Sequence, residues 1–239
     1  MLTLLDNAGT YQLPTSWREV STAHWCALAA LPFPNREAAA GIFAGRPIQV
    51  NGLVADVLAF LDSEPPTDGG LPYPSDLGQE TFLQVETIRA LLTARPLHAC
   101  LLHVWAAFIA RKWNFFPPHE YRQDMAVKIQ QANADVPITQ VYPAVRHCLS
   151  EMERLAAKYA YLSQPDTTEA GKRAREAGAD RLNALGHYNT AAAYAKDFHL
   201  TLEAAYQAPW ENVAIWLYQQ RLSAEIQDTL QQNSNRAHE

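Results

Sequence analysis

The sequence predicts an all-α, multi-helix globular fold, with short β-strands possible only near the N-terminus. Alanine, leucine and glutamine are plentiful while long β-branched runs are missing, which favours helix over sheet. Apolar residues recur at helical spacing behind capping residues or prolines in one segment after another. Hydrophobic residues make up 48% of the chain and charged residues 18%, the proportions of a folded protein. Its 239 residues suffice for one large or two small domains.

Residues 1–62 read as an N-terminal helical subdomain. The first twenty are extended or irregular, closing on Leu13-Pro14-Thr15-Ser16-Trp17. Ser21 or Thr22 then offers an N-cap for a short helix to Leu31. Asn35 caps the next, with Glu37 at the positive helix end and Gly45 as the stop. Arg46 to Val50 fits a short strand, and Asn51 caps a helix with Val54, Val57, Leu58 and Leu61 on one face.

Residues 63–78, rich in Pro, Gly, Asp and Ser, read as a long exposed loop or hinge. Residues 79–162 form the expected central helical core. A helix from about Gln79 to Ala94 carries Phe82, Val85, Ile88 or Arg89, and Leu92, and Pro96 ends it. The most apolar run, Leu97 to Ile109, is too short for a bilayer, which needs about 20 residues. It reads as a buried core helix. Pro117-Pro118 separate it from a helix over His119 to Ala132, and Val136-Pro137 precede a long amphipathic helix. That helix runs through Val141, Val145, Cys148 or Leu149, Met152 and Leu155, reaching toward Leu162.

Residues 163–186 are polar and either flexible or weakly helical, with Asp166 and Glu169 spaced as a capping box. Residues 187–232 form a C-terminal helical module, and 233–239 a frayed tail. No internal repeat is evident.

The net charge of −6 argues against nonspecific nucleic-acid binding, which needs a positive field. The N-terminus lacks the basic region of a secretory signal, and three widely spaced cysteines do not make a disulfide framework. A reducing cytoplasm and no membrane association are the expectations.

Few groups suit chemistry. Histidine lies near cysteine at His24/Cys26, His98/Cys100/His103 and His147/Cys148, but only Cys100 and His103 share a helix face. A zinc site would need ligands from separate helices, so core cysteines flanked by histidines is the simpler reading. His119-Glu120-Tyr-Arg-Gln123 begins like a zinc-protease helix but has Gln where the second histidine must stand. Glu120 and Asp124 share a face, read as solvated; Glu151 and Glu153 diverge and cannot cooperate as acid and base. Lys172, Arg173 and Arg175 are balanced by Glu169, Glu176 and Asp180. No dinucleotide, phosphate-loop or serine-nucleophile motif occurs. The expectation is a non-enzymatic protein without catalytic residues, metal or cofactor.

The C-terminal module differs in kind. Thr201 caps a helix with Glu203 in its first turn, and Pro209 fits the first turn of another. Along that second helix Trp210, Val213, Ala214 and Leu217 form one apolar face, and Ile215, Leu222 and Ile226 a second. Such a helix is either a core helix sandwiched within its own domain or one that packs home by one stripe and leaves the other for a partner. Tyr206, Trp210, Trp216 and Tyr218 are the candidate partner-binding residues, because Trp and Tyr dominate interface hot spots.

Tyr11-Gln-Leu-Pro-Thr-Ser-Trp-Arg-Glu-Val-Ser21 opens the chain. The apolar helix toward Trp113, a Pro-led segment and the long helix around Val141 to Leu155 follow in order. Leu185-Gly-His-Tyr188, Leu200-Thr-Leu-Glu-Ala-Ala-Tyr206 and Trp210-Glu-Asn-Val213 close it. Together these segments, about a third of the chain, resemble phage tail assembly chaperones of the kind found in prophages. The resemblance implies a small helical protein in the bacterial host's cytoplasm that associates with a tape-measure or tail-tube protein, stays out of the finished virion and catalyses nothing. It fixes no binding residue. Many members of the group are shorter, and Glu169 to Asp180 has no counterpart in them. Two alternatives stand beside it: a structural or adaptor component of a phage particle, and a metal-dependent enzyme built on the His/Cys neighbours.

Overall fold

The computed structural model describes residues 1–6, 9–31, 35–67, 76–110, 121–133, 135–179, 181 and 185–236. Among them are eleven α-helices and one two-stranded antiparallel sheet, so the protein is mainly all-α. The chain divides into two compact units. The first comprises residues 1–73 and 87–150, the second 74–86 and 151–239.

The first unit opens with a hairpin where the sequence suggested extended or irregular chain. Strand β1 (Leu2–Asp6) pairs with β2 (Gly9–Leu13) in a register running from Leu2↔Leu13 to Asp6↔Gly9. Gly9 takes φ 122°, a conformation L side chains rarely adopt. Ser21 resolves the first cap: its hydroxyl accepts from the His24 N–H at the start of α1 (Thr22–Ala29). Asn35 and Asn51 do the same for α2 (Arg36–Ala44) and α3 (Gly52–Val57), and Gly45 ends α2 in the left-handed region at φ 67°. The strand expected at Arg46 to Val50 is absent; the segment is irregular and buries Ile48 without a ladder partner. One apolar cluster joins Leu13 of the hairpin to Leu28, Ala39, Ala40, Ile48, Val54 and Leu58.

Helix α4 (Phe82–Ala94) starts later than the expected Gln79, because residues 77–79 form a 3-10 turn and Thr81 caps the helix by accepting from Gln84 N–H. Ile88, not Arg89, is its buried residue at the ambiguous position. Helix α5 (Leu97–Ile109) is the expected core helix, its residues from Val104 to Ile109 all buried. Trp113, Pro117-Pro118 and His119-Glu120 lie outside the described residues. Helix α6 begins at Gln123 (Gln123–Ala132).

Helix α7 (Ile138–Lys158) buries Val141, Val145, Cys148 and Leu155, and holds Pro143 inside it, a residue with no N–H to donate back to Thr139. It stops at Lys158, short of Leu162, and a 3-10 turn over Ala160–Ser163 follows. Helix α8 (Glu169–Glu176) forms in the polar segment, but its cap is Thr168, whose hydroxyl accepts from Gly171 N–H. The expected Asp166/Glu169 box is replaced because the Asp166 carboxylate accepts from the Thr168 N–H and hydroxyl instead. The module closes with α9 (His187–Asp197), α10 (Leu202–Gln207) and α11 (Trp210–Arg236). The expected frayed tail is therefore helical from Asn233 to Arg236, and 237–239 lie outside the described residues.

Each unit contains the same local device, invisible in the sequence. In the first, Thr22 N–H donates to Val136 O and Ile138 N–H to Val20 O, both at 2.8 Å, joining the starts of α1 and α7 across a Ser21↔Pro137 bridge. In the second, Phe82 N–H donates to Ala208 O (2.8 Å) and Trp210 N–H to Glu80 O (2.9 Å) across a Thr81↔Pro209 bridge, joining the starts of α4 and α11. A helix start leaves N–H groups without intrahelical partners. Pairing two starts antiparallel satisfies one from each, and a proline opposite the cap loses nothing because the bridge does not need its N–H.

Candidate functional site

The candidate surface is α11, and its inward side is fixed from the N-terminal end. Pro209 stands at the cap, its carbonyl accepting from Asn212 and Val213 N–H. Trp210, only 6% exposed, donates its indole N–H to Glu86 Oε1 (2.8 Å) and packs edge-on to Tyr159 with ring centroids 5.5 Å apart. Glu211 accepts from the Tyr159 hydroxyl (2.7 Å), forms an ion pair with Lys158 and accepts from Gln79 Nε2 (3.2 Å). Two turns earlier in α7, Glu151 accepts from Leu77 N–H (3.1 Å) and from Arg154, which also pairs with Asp76. Glu151 thus points inward while Glu153 is exposed, the divergence their spacing dictates.

The Glu211 side chain is only 13% exposed. Its hydrogen bond from Lys158, then that from Tyr159, holds its carboxyl below the ordinary value of 4.5. A carboxyl whose folded pKa is depressed stabilises the fold above its unfolded pKa, and that contribution disappears as pH falls through the folded value. The urea midpoint of the second unit is therefore expected to drop as pH falls through and below the ordinary carboxyl value of 4.5. Glu211→Gln should lower the midpoint near neutrality and flatten that acid limb, as read by chemical denaturation across the pH range.

Further along, Trp216 is 9% exposed, donates its indole N–H to Asp197 Oδ2 (3.0 Å) and meets Tyr194 edge-on at 5.5 Å. Val213 and Ala214 are buried and Leu217 is half-buried, so the first apolar face packs inside its own unit. After Leu217 the inward side turns polar. Arg221 donates to the carbonyls of Tyr161, Gln164 and Pro165 and lies 4.4 Å over the Tyr161 ring, and Asp228 accepts from Glu169 N–H (3.3 Å).

The opposite side stays apolar to the end. Ile215, Tyr218, Leu222, Ile226 and Leu230 are each between 40% and 63% exposed. At 100° per residue these five positions fall within an arc of about 120°, and they span about 22 Å of helix. Of the four sequence-predicted residues, Trp210 and Trp216 are anchors inside the second unit. Tyr206 is half-buried beside His187, with centroids 5.9 Å apart. Tyr218 alone lies on the exposed stripe, where its ring meets Tyr161 at 5.1 Å. Leu230, the most exposed of the five, escaped the sequence reading because it sits in a polar stretch. Its i+4 spacing from Ile226 was the available signal.

The His/Cys neighbours show no ligand geometry. Among the described residues no three His, Cys, Asp or Glu side chains are grouped to hold a metal ion. His24 packs on Phe43 (5.4 Å) and His147 on Phe108 (6.1 Å). Burial first, and the neighbouring Cys100 second, push the Cys26 thiol up to about 11. Because the thiolate is the reactive form, Cys26 is expected to react with a disulfide reagent at pH 8 about a hundredfold more slowly than after unfolding. Thiol titration with and without denaturant checks this.

No helix among the described residues is long and apolar enough to cross a membrane. No protein-family model, no curated protein and no solved structure matches this chain.

Proposed function

We propose that this chain is a phage or prophage tail assembly chaperone, which covers a hydrophobic helical segment of a tape-measure or tail-tube protein with the exposed stripe of α11. The observation that carries the reading is that stripe. Five large apolar side chains share one face of a helix already anchored through its other face. A helix with one packed face and one open apolar face suits helix-to-helix docking, in which anchors at i, i+3 or i+4 and i+7 meet a complementary segment. Of the side chains beside the stripe, Gln219, Ser223 and Thr229 are uncharged and Glu225 is already paired with Arg221, so the surface selects for apolar length and not for a charge pattern. The segments around Leu13-Pro14, Leu185-Gly-His-Tyr188 and Leu200 to Val213 point to the same class of protein by their resemblance.

In this reading the protein works in the cytoplasm of a bacterial host, contacts neither nucleic acid nor membrane, and binds and releases without chemistry. Co-expression with the tape-measure and tail-tube proteins encoded beside it tests the proposal. A soluble complex with one of them is the expected result. No complex and no gain in the partner's solubility would overturn it. Recovery of the chain from purified particles would favour a structural component instead.

A further inference from the structure

The first unit contains a cavity of about 350 Å³, within the size range of small-ligand pockets. Its walls come from α1, the start of α2, the 3-10 turn over Leu58–Asp62 with the residues after it, and α7. Three aromatic side chains line it: Trp17, Trp25 and Tyr142. The Trp25 and Tyr142 rings lie 5.7 Å apart at 55°, forming a corner. Trp17 is held edge-on by Phe60 (5.2 Å, 86°) and donates a long hydrogen bond to Ser63 Oγ (3.4 Å).

The charge in the lining is unbalanced. Arg36 is matched by Asp62 in an ion pair at 2.6 Å. Among the described residues the exposed Glu64, by contrast, accepts a side-chain hydrogen bond only from the hydroxyl of the buried Tyr142 (2.9 Å), and no cation forms an ion pair with it. Arg146, one turn beyond Tyr142, reaches that hydroxyl by its charge alone. Burial first and the Glu64 carboxylate second hold the Tyr142 hydroxyl above its ordinary value, so it stays the donor and fixes the carboxylate at the cavity wall.

We infer that this cavity binds an aliphatic ammonium cation, seated against the Trp25–Tyr142 corner and Trp17 with Glu64 as its counter-charge. Aromatic faces attract cations through the ring quadrupole, most strongly where water is excluded. An anion would meet Glu64 at the wall, where Arg36 is already paired with Asp62 and Arg146 is not among the lining side chains. A neutral apolar ligand would gain nothing from the Glu64 charge at the cavity rim. The site is separate from the α11 stripe and does not depend on the function proposed for it.

Two sources share this chemistry: a free quaternary amine and a lysine side chain on a protein. The test uses the full chain labelled with ¹⁵N, with the Trp17 and Trp25 indole resonances assigned from Trp17→Phe and Trp25→Phe. Choline, N-acetyl-lysine methylamide and the neutral choline isostere 3,3-dimethylbutan-1-ol are titrated to about 10 mM, the range in which one cation–π contact with a counter-charge becomes visible. The expected result is saturable movement of both indoles with at least one cation and none with the alcohol, and weakening of at least about fivefold in Glu64→Gln. Movement with choline alone assigns a free amine, and with the lysine derivative a protein side chain. Tyr142→Phe, which frees the carboxylate but keeps the ring, should weaken binding less than Glu64→Gln does. No movement with either cation, equal movement with the alcohol, or unchanged affinity in Glu64→Gln overturns the inference.

Discussion

Replacing Trp210 by alanine is expected to destabilise the second unit by about 3–5 kcal/mol, the largest effect of any single change in α11. Three interactions converge on this residue. The indole fills a nearly closed site against Tyr159, its N–H bonds to Glu86, and its backbone N–H closes the bridge to Glu80. The alanine keeps the last of these and loses the first two, leaving a cavity in interior that cannot fully collapse. Domains are stable by only about 5–15 kcal/mol in total, so such a loss approaches unfolding of the unit. Trp210→Phe restores most of the packing without the indole N–H and should recover more than half of the loss. Chemical denaturation of the two variants measures both values. A loss below about 1 kcal/mol in the alanine variant would mean that α11 is not anchored through Trp210.

The second large effect is on binding, with stability unchanged. Leu222→Gln combined with Ile226→Gln removes two apolar side chains from the middle of the exposed stripe while keeping helix propensity close to its original value. Neither side chain is buried in the free protein, so each change should alter stability by less than about 0.5 kcal/mol. Burial of both against a partner contributes about 2–4 kcal/mol, so affinity should fall by roughly a hundredfold. The opposite pattern, intact capture with lost stability, would place these residues inside the protein's own core. Titration of the co-purified partner against both proteins, beside their denaturation curves, separates the two.

Local signals made much of the helical fold legible. Asn35, Asn51 and Thr201 cap the helices they were expected to cap, because an Asn or Thr side chain before an apolar period has few other uses. The apolar run from Leu97 to Ile109 could only be a core helix. What escaped depended on distant chain. Strands β1 and β2 do alternate, with Leu4, Tyr11 and Leu13 turned toward the cluster with Leu28 and Val54, but at five residues each the signal is too short to fix the pairing. The segment Arg46 to Val50 turns Ile48 and Val50 toward that same cluster, but among the described residues no strand lies beside it to pair with. Thr168 displaces the expected Asp166 box through a hydrogen bond two residues long, a competition that spacing cannot rank. The two clamped helix starts join residues more than a hundred positions apart and leave no periodic trace.

The surface followed the same division. That α11 carries two apolar faces was readable from spacing alone, and which one packs home was not. Trp210 and Trp216 have the composition of hot spots, but each finds a carboxylate for its indole N–H within its own unit. The aliphatic residues beside them keep the outward side. Aromatic content is therefore a weaker guide to an interface than the question of where each polar handle is satisfied.

Amide hydrogen exchange along α11, with the chain alone and mixed with the tape-measure protein encoded beside it, tests the central claim most directly. In the free protein residues 222–236 have polar contacts on one side and solvent on the rest, and a helix of about 15 residues with so little packing is marginal in water. They should exchange quickly, while residues 210–217 are protected by the packing of Trp210, Val213 and Trp216. Addition of the partner should slow exchange over residues 215–230 at least tenfold and leave α5 unchanged. Identical exchange along α11 in the two samples, or protection confined to the first unit, would contradict the assignment of this stripe as the partner-binding surface.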